Sequence, residues 1–387
     1  MVIMGVCGIR SKAGQSLTPQ IPQSAHKSKE VSGPRYLTIC KPPSSLLPAS
    51  RAESTGDCCS SKPGSEIRGH VGNLTCRLNG TLSTSKQREF EDKRVEKSGD
   101  DLPEGYFKDR GIAAACKKGL KPETQNQDDF CILVQEGILV LGVFDGHGPS
   151  GHQVSAYVSS VLPTALASHP DFKTHPADCF EPTFERMQDE MRSRYKEGRK
   201  GLDCVLSGTT ATIAIVADDA VFVGHVGDSR AVLSKFDVAT GTRTAVAVTT
   251  DHRPSTHTEK ARIEALGGEV KTLNNDLYSR VFLRGKDYPG LAMSRALGDI
   301  FSEQVGIIAN PDVSVFPTEP EHEFLLICSD GVWEFISNEE AVAVIAALGK
   351  AEVTAAAEAL AKLAWKRWAE REETVVDDIT VLVAYLH

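Results

Sequence analysis

Aromatic residues are scarce, at 6% of 387 positions, and only Tyr36 and Phe90 fall within the first 105 residues. A segment so poor in large apolar side chains, and dense in Ser, Pro, Gly and Lys, cannot bury enough surface to offset the entropy of ordering it. Residues 1–105 therefore read as a largely disordered tail, with a short helix expected around 85–97. Cysteine occurs ten times but never in Cys-x-x-Cys spacing. That excludes the common zinc and dithiol motifs and points to a reducing compartment, cytoplasm or nucleus. Glycosylation-type triplets at Asn73 and Asn79 then read as chance matches. Apolar runs stop well short of the roughly 18 residues that span a bilayer. Clustered Lys/Arg is missing beyond the tail. The first 105 residues hold 15 Lys/Arg against 11 Asp/Glu, a balance of +4 that leaves −13 for the rest of a chain whose net charge is −9. This acidity argues against a nucleic-acid partner and for a site that recruits divalent cations.

What is present, from residue 106 to 387, is an alternation of apolar strands, turns and amphipathic helices without internal repeats. Strands are expected at 130–135, 138–144, 210–216, 220–226, 231–234, 244–249, 323–328 and 379–386. Short turns such as Glu136-Gly137 and Asp218-Asp219 join several of them into antiparallel hairpins. Helices are expected at 151–167, 181–196, 257–266, 338–347 and 352–372. Two begin with capping boxes, Thr256 with Glu259 and Ser337 with Glu340. Hairpins with helices inserted between them favour a layered α+β fold over a parallel doubly wound one. The polar stretch 267–290 is long for an idle loop and reads as a flap beside a site.

Asp-Gly-centred turns recur at the ends of these strands: Asp145-Gly146, Asp228, Asp299, Asp330-Gly331 and Asp377-Asp378. One such turn is unremarkable. Repetition at strands far apart in sequence points to a carboxylate-built metal site, and oxygen ligands without His or Cys spacing suit Mg²⁺ or Mn²⁺ rather than Zn²⁺. Two such ions about 3.5–4 Å apart can activate a water and hold a phosphoryl group.

Eight ordered segments make this part of the chain resemble the metal-dependent protein phosphatase 2C family of Ser/Thr phosphatases. They are Asn126-Gln127-Asp128-Asp129, Val143 through Gly148, Ser207 through Ala211, Gly224 through Arg230, Asp251 through Pro254, Gly290 through Asp299, Cys328 through Glu334, and Asp377 through Val381. The resemblance implies a central sandwich of two mostly antiparallel sheets flanked by helices (αββα) over residues 106–387. It implies two Mg²⁺ or Mn²⁺ ions, with Asp145 bridging them, the Gly146 carbonyl on the second, and Asp330 and Asp377 on the first. Asp128 is expected to act through water, and Asp228 to form the weaker third-ion site that some members carry. His147 suits a general acid for the departing Ser/Thr oxygen. Phosphorylated proteins would be the partners, with the chain acting as a monomer.

Three departures stand out. Gln127 replaces a Glu found in many members. The phosphate-gripping Arg upstream is missing, leaving Lys121 or Lys118 as substitutes. Glu303 stands where some members carry Asp, which weakens the third site. Arg230 and Arg295 read as ion-pair partners, Thr209 and Thr210 as the start of a core strand, and Trp333, Trp365 and Trp368 as packing. No Cys opens a Cys-x5-Arg loop, which disfavours a thiol phosphatase. A binding module on the same fold is the main rival, with Gln127 its best support, and an acidic structural protein is a second. At the start, Met4-Gly5-Val6-Cys7 resembles an acylation signal. If translation begins at Met4, myristate on Gly5 and palmitate on Cys7 would give peripheral membrane attachment.

Overall fold

A computed structural model describes residues 75–80, 89–121, 124–197, 202–273, 278–372 and 374–387. Gly5 and Cys7 lie outside these residues, as does part of the expected 85–97 helix. Two sheets occupy the centre. The larger runs in the order Asp312–Pro317, Ala220–Val226, Ala211–Val216, Ile138–His147, Asp128–Gln135, Thr75–Gly80 and Val95–Gly99, with the two-residue strands Gly208–Thr209 and Leu297–Gly298 attached beside it. The smaller runs Thr242–Ala247, Arg230–Asp237, His322–Cys328, Ile379–Tyr385 and Ile112–Lys117.

Successive side chains of a strand point to opposite faces, so one apolar run can serve two cores. Leu325 and Ile327 face inward, meeting Leu141, Val143 and Ala214 between the sheets. Their neighbours Phe324, Leu326 and Cys328 face outward, against helices Asn338–Leu348 and Val353–Arg371. Across the sandwich, Leu133, Val140, Phe144 and Ile213 pack against helices Gly151–Ala167 and Phe180–Lys196. Helix, sheet, sheet, helix is the layering expected. The Ser337 hydroxyl accepts the Glu340 amide as a cap, 3.2 Å. Thr256 makes no such bond, and the Glu259 carboxylate is held by Arg262 and Arg295.

The structure corrects the sequence reading in three places. Thr75–Gly80 pairs with both Asp128–Gln135 and Val95–Gly99, so ordered strand reaches well into the expected tail, and the end of the expected 85–97 helix, from Val95 on, is strand instead. Composition averaged over 105 residues hid this short strand, which borrows its apolar partners from the sheet. Ile112–Lys117 and Asp312–Pro317 are further strands the pattern did not reveal. The 267–290 stretch carries a small antiparallel sheet of Gly268–Thr272, Ser279–Leu283 and Pro289–Leu291 rather than a bare loop.

Candidate metal centre

Asp128 and Asp145 begin as a matter of register: they face each other across the Asp128–Gln135 and Ile138–His147 pair. Asp330 enters from the end of His322–Cys328, and Asp377 and Asp378 from the approach to Ile379–Tyr385. All five belong to one carboxylate cluster. Burial, then the charges of Asp128, Asp330 and Asp377, raises the Asp145 pKa well above the ordinary carboxylate value. Burial, with Asp377 and Asp228 next, does the same to Asp330. Asp128 is pushed up to about 7 by burial and by Asp378. Like charges crowded in a low dielectric oppose ionisation, and hard cations remove that opposition.

The cluster also has idle acceptors. Asp128 Oδ1, Asp330 Oδ1 and Asp228 Oδ1 are buried without a hydrogen-bond partner. A buried acceptor left unpaired is costly unless something supplies the missing positive charge. All-oxygen donors of this kind fit Mg²⁺ or Mn²⁺.

Neighbouring residues fix the carboxylates. Asp128 Oδ2 accepts the hydroxyls of Ser329 and Thr380, each at 2.7 Å. Asp378 accepts the backbone amides of Gly119 (2.7 Å) and Gln127 (2.8 Å), a supporting role that the paired Asp377-Asp378 motif hinted at without assigning. The turn after Asp330 is held by Trp333 Nε1 on the Cys328 carbonyl (2.9 Å) and Trp368 Nε1 on that of Gly331 (2.8 Å), so these tryptophans do more than pack. Gly146 is required sterically, since a Cβ there would lie 2.4 Å from the Gly151 carbonyl oxygen.

The departures have structural counterparts. Gln127 Nε2 donates to the Gly148 carbonyl at 2.8 Å, a bond a carboxylate could not make. Lys121 pairs with Asp377 and its pKa is raised; burial opposes its charge, but Asp377 and Asp378 outweigh it. Lys118 is buried and donates to the carbonyls of Gly119 and Lys121, which removes it as a phosphate candidate. Glu303 accepts Gln188 and both Nε and Nη2 of Arg192, so it is already occupied.

Two flanking groups complete the site. His147 Nε2 meets Asp299 Oδ2 at 2.5 Å. Burial disfavours its charge, but Asp299 outweighs burial and raises the pKa. Asp299, one of the recurring turn aspartates, thereby reaches the site through His147. Asp228 is buried with Arg253 at 3.8 Å, and Arg253 lies 3.8 Å over the ring of Tyr278 from the flap. Arg230 forks onto Asp251, as expected of a structural pair. Sequence gave no sign that the flap touches the site through Tyr278.

His225, His252 and Asp312 form a second group able to offer metal ligands. Its imidazoles stack almost parallel, 7° apart with centroids at 4.4 Å, so one ion cannot lie in both ring planes. His252 instead anchors the Gly227 turn, accepting its amide at 3.1 Å.

Comparison with known proteins identifies the family. Residues 125–372 match the family model described as Protein phosphatase 2C. Among curated relatives, the probable protein phosphatase 2C 61 of Arabidopsis thaliana is 38% identical over 255 residues, spanning 65% of this chain and 77% of the relative. The probable protein phosphatase 2C 64 of Oryza sativa subsp. japonica is 34% identical over 275 residues, 67% of this chain and 62% of that one. The serine-threonine phosphatase 2C of Toxoplasma gondii shares the fold, with a TM-score of 0.61 at 23% identity over 71% of this chain and 94% of its own. The chain belongs to the protein phosphatase 2C family and is a serine/threonine protein phosphatase.

Proposed function

We propose that the chain hydrolyses phosphoserine and phosphothreonine in proteins at a two-cation centre held by Asp145, Gly146, Asp330, Asp377 and, through water, Asp128. The observation that carries this reading is the buried carboxylate cluster with its unpartnered oxygens. When bound, Mg²⁺ or Mn²⁺ supplies Lewis acidity that makes water nucleophilic near neutral pH and offsets phosphoryl charge. Asp145, flanked by Asp128 and Asp330, would serve both cation positions. Asp128, with Oδ2 held by Ser329 and Thr380, keeps Oδ1 to orient water. Lys121, paired with Asp377 at the edge of the cluster, would meet a phosphoryl oxygen as a point charge.

His147 donates the proton needed by the departing Ser or Thr oxygen. Asp299 fixes its ring and favours its charged form, the pairing a general acid needs. Asp228 provides a third, weaker cation position, which Glu303 does not reinforce. The six described cysteines are all buried, in keeping with attack by water rather than a thiolate. A cytoplasmic or nuclear setting, a monomeric state and attachment through Gly5 and Cys7 belong to the same proposal. Composition supports the setting, and the Met4-Gly5-Val6-Cys7 start supports the attachment. Intact mass after co-expression with an acyltransferase tests the anchor.

The central test is phosphopeptide turnover with Mn²⁺, with chelator, and in Asp330→Asn. Turnover is expected only in the native protein with cation. Full activity in chelator or in the variant would overturn the reading, whereas phosphopeptide binding without turnover under any cation would favour a binding module.

A further inference from the structure

Lys93 lies in the N-terminal extension, 32 positions before the family-model match begins at 125, yet it reaches the centre described above. It is 3% exposed, and its Nζ stands 2.5 Å from the Asp128 backbone carbonyl and 3.2 Å from Asp129 Oδ2. The strap that delivers it is tied down on both sides. Phe90 donates to the Lys118 carbonyl (2.6 Å) and Lys93 to that of Cys116 (2.9 Å). The Phe90 ring meets Trp365 edge-on at 4.8 Å, and Asp92 pairs with Lys117 at 2.5 Å. Space for the pair is left by Gly80, where a Cβ would fall 2.3 Å from Asp129 Oδ1 and 2.9 Å from Lys93 Cδ.

We propose that Lys93 is a positioning residue for the cation centre, locking Asp128 from behind so that its one free oxygen is held toward Asp145. The inference rests on the metal-dependent reading above. Asp128 is restrained at each of its other polar atoms. Its amide donates to Asn126 Oδ1 (2.9 Å), its carbonyl accepts Lys93, and Oδ2 accepts two hydroxyls. Oδ1 alone is left. With Gln127 committed to Gly148, no carboxylate beside Asp128 shares its task. How well Asp128 serves the second cation position, beside Asp145 and the Gly146 carbonyl, therefore depends on how rigidly its side chain is set. Groups behind a metal-orienting side chain commonly change metal affinity about 10- to 100-fold.

An ordinary buried ion pair would give stability and nothing else, and the two roles can be separated. Replacing both charges with apolar groups of similar volume is often near neutral for stability. In the full chain, Lys93→Met with Asp129→Leu should melt close to the native temperature but bind the weaker Mn²⁺ about tenfold less tightly. Calorimetric titration and the electron paramagnetic signal of bound Mn²⁺ read this without reference to activity. Unchanged Mn²⁺ affinity would overturn the proposal. Asp129→Asn keeps Nζ on the Asp128 carbonyl, so it should retain native Mn²⁺ affinity while melting lower. If affinity falls there in step with stability, the role is structural and the proposal fails. Lys93→Gln, too short to reach the carbonyl, replaces the double variant should that not fold. Native protein that binds no Mn²⁺ would instead overturn the metal-dependent reading, and this inference with it.

Discussion

Two acidic regions lie within one sandwich and behave oppositely. In the cluster of Asp128, Asp145 and Asp330, carboxylates outnumber cations and pKa values are raised. In the network of Asp251, Glu259 and Asp312, the carboxylates meet guanidinium groups, and pKa values are lowered. Asp312 is half-exposed, but Glu259 and Asp251 are nearly as buried as the first cluster, so burial alone cannot explain the difference. Arg230 and Arg253 serve Asp251, Arg262 and Arg295 serve Glu259, and Arg295 also serves Asp312. The second region is electrostatically complete within the chain, whereas the first is complete only with something added. That contrast distinguishes a binding centre from a structural brace more clearly than the count of acidic residues does.

The sharpest way to break the contrast is Asp145→Asn. If the first region is built for cations, this change should cost at least about a thousandfold in phosphopeptide turnover, in line with several kcal/mol of lost charge stabilisation. Without metal it should leave the melting temperature unchanged or higher, because one of several mutually repelling carboxylates is gone. Parallel losses of activity and metal-free stability would mean that the cluster is structural.

Much of that centre is legible in sequence because its aspartates sit at the ends of apolar strands, Asp145 and Asp330 where a strand finishes and Asp377 just before one starts. Asp145, Asp330 and Asp377 were placed this way, and the family pattern added Asp128 and His147. The partners that hold them were less visible. Ser329 and Thr380 reach Asp128 across about 200 and 250 positions, a closeness set by sheet register and not by local pattern. Lys93 was obscured by the tail around it, and Tyr278 by a flap whose strands are only three to five residues long. Lys121 and Lys118 read alike as free cations until the fold gave one to Asp377 and buried the other.

The complementary test removes a carboxylate from the complete region. Glu259 is 3% exposed and held at about 2: burial alone would raise it, but Arg262, Arg295 and Ser294 outweigh burial. Glu259→Gln leaves two guanidinium groups short of a partner and should cost about 3 kcal/mol in denaturant unfolding. Mn²⁺ affinity should not change. A Mn²⁺ defect without a stability defect would erase the distinction between the regions.

A smaller effect comes from adding positive charge where cations are already sufficient. His252 is 3% exposed and faces His225, Arg295 and Asp312. Burial, followed by His225 and Arg295, holds its pKa down to about 4 despite the opposing pull of Asp312. A histidine kept neutral in the folded state binds its proton more readily when unfolded. Its contribution to stability is therefore fully present above the ordinary value of about 6.5 and is lost as pH falls toward 4. The loss should be on the order of 2 kcal/mol, seen as native stability falling toward that of His252→Asn between those pH values. His225, also lowered, remains in both proteins and cancels to first order. If the gap between native and variant instead stays constant through this window, His252 is not held neutral by its surroundings. The region would then have capacity for another positive charge, and the contrast with the aspartate cluster would weaken at the point where the two regions approach each other, the Gly227-Asp228 turn that His252 anchors.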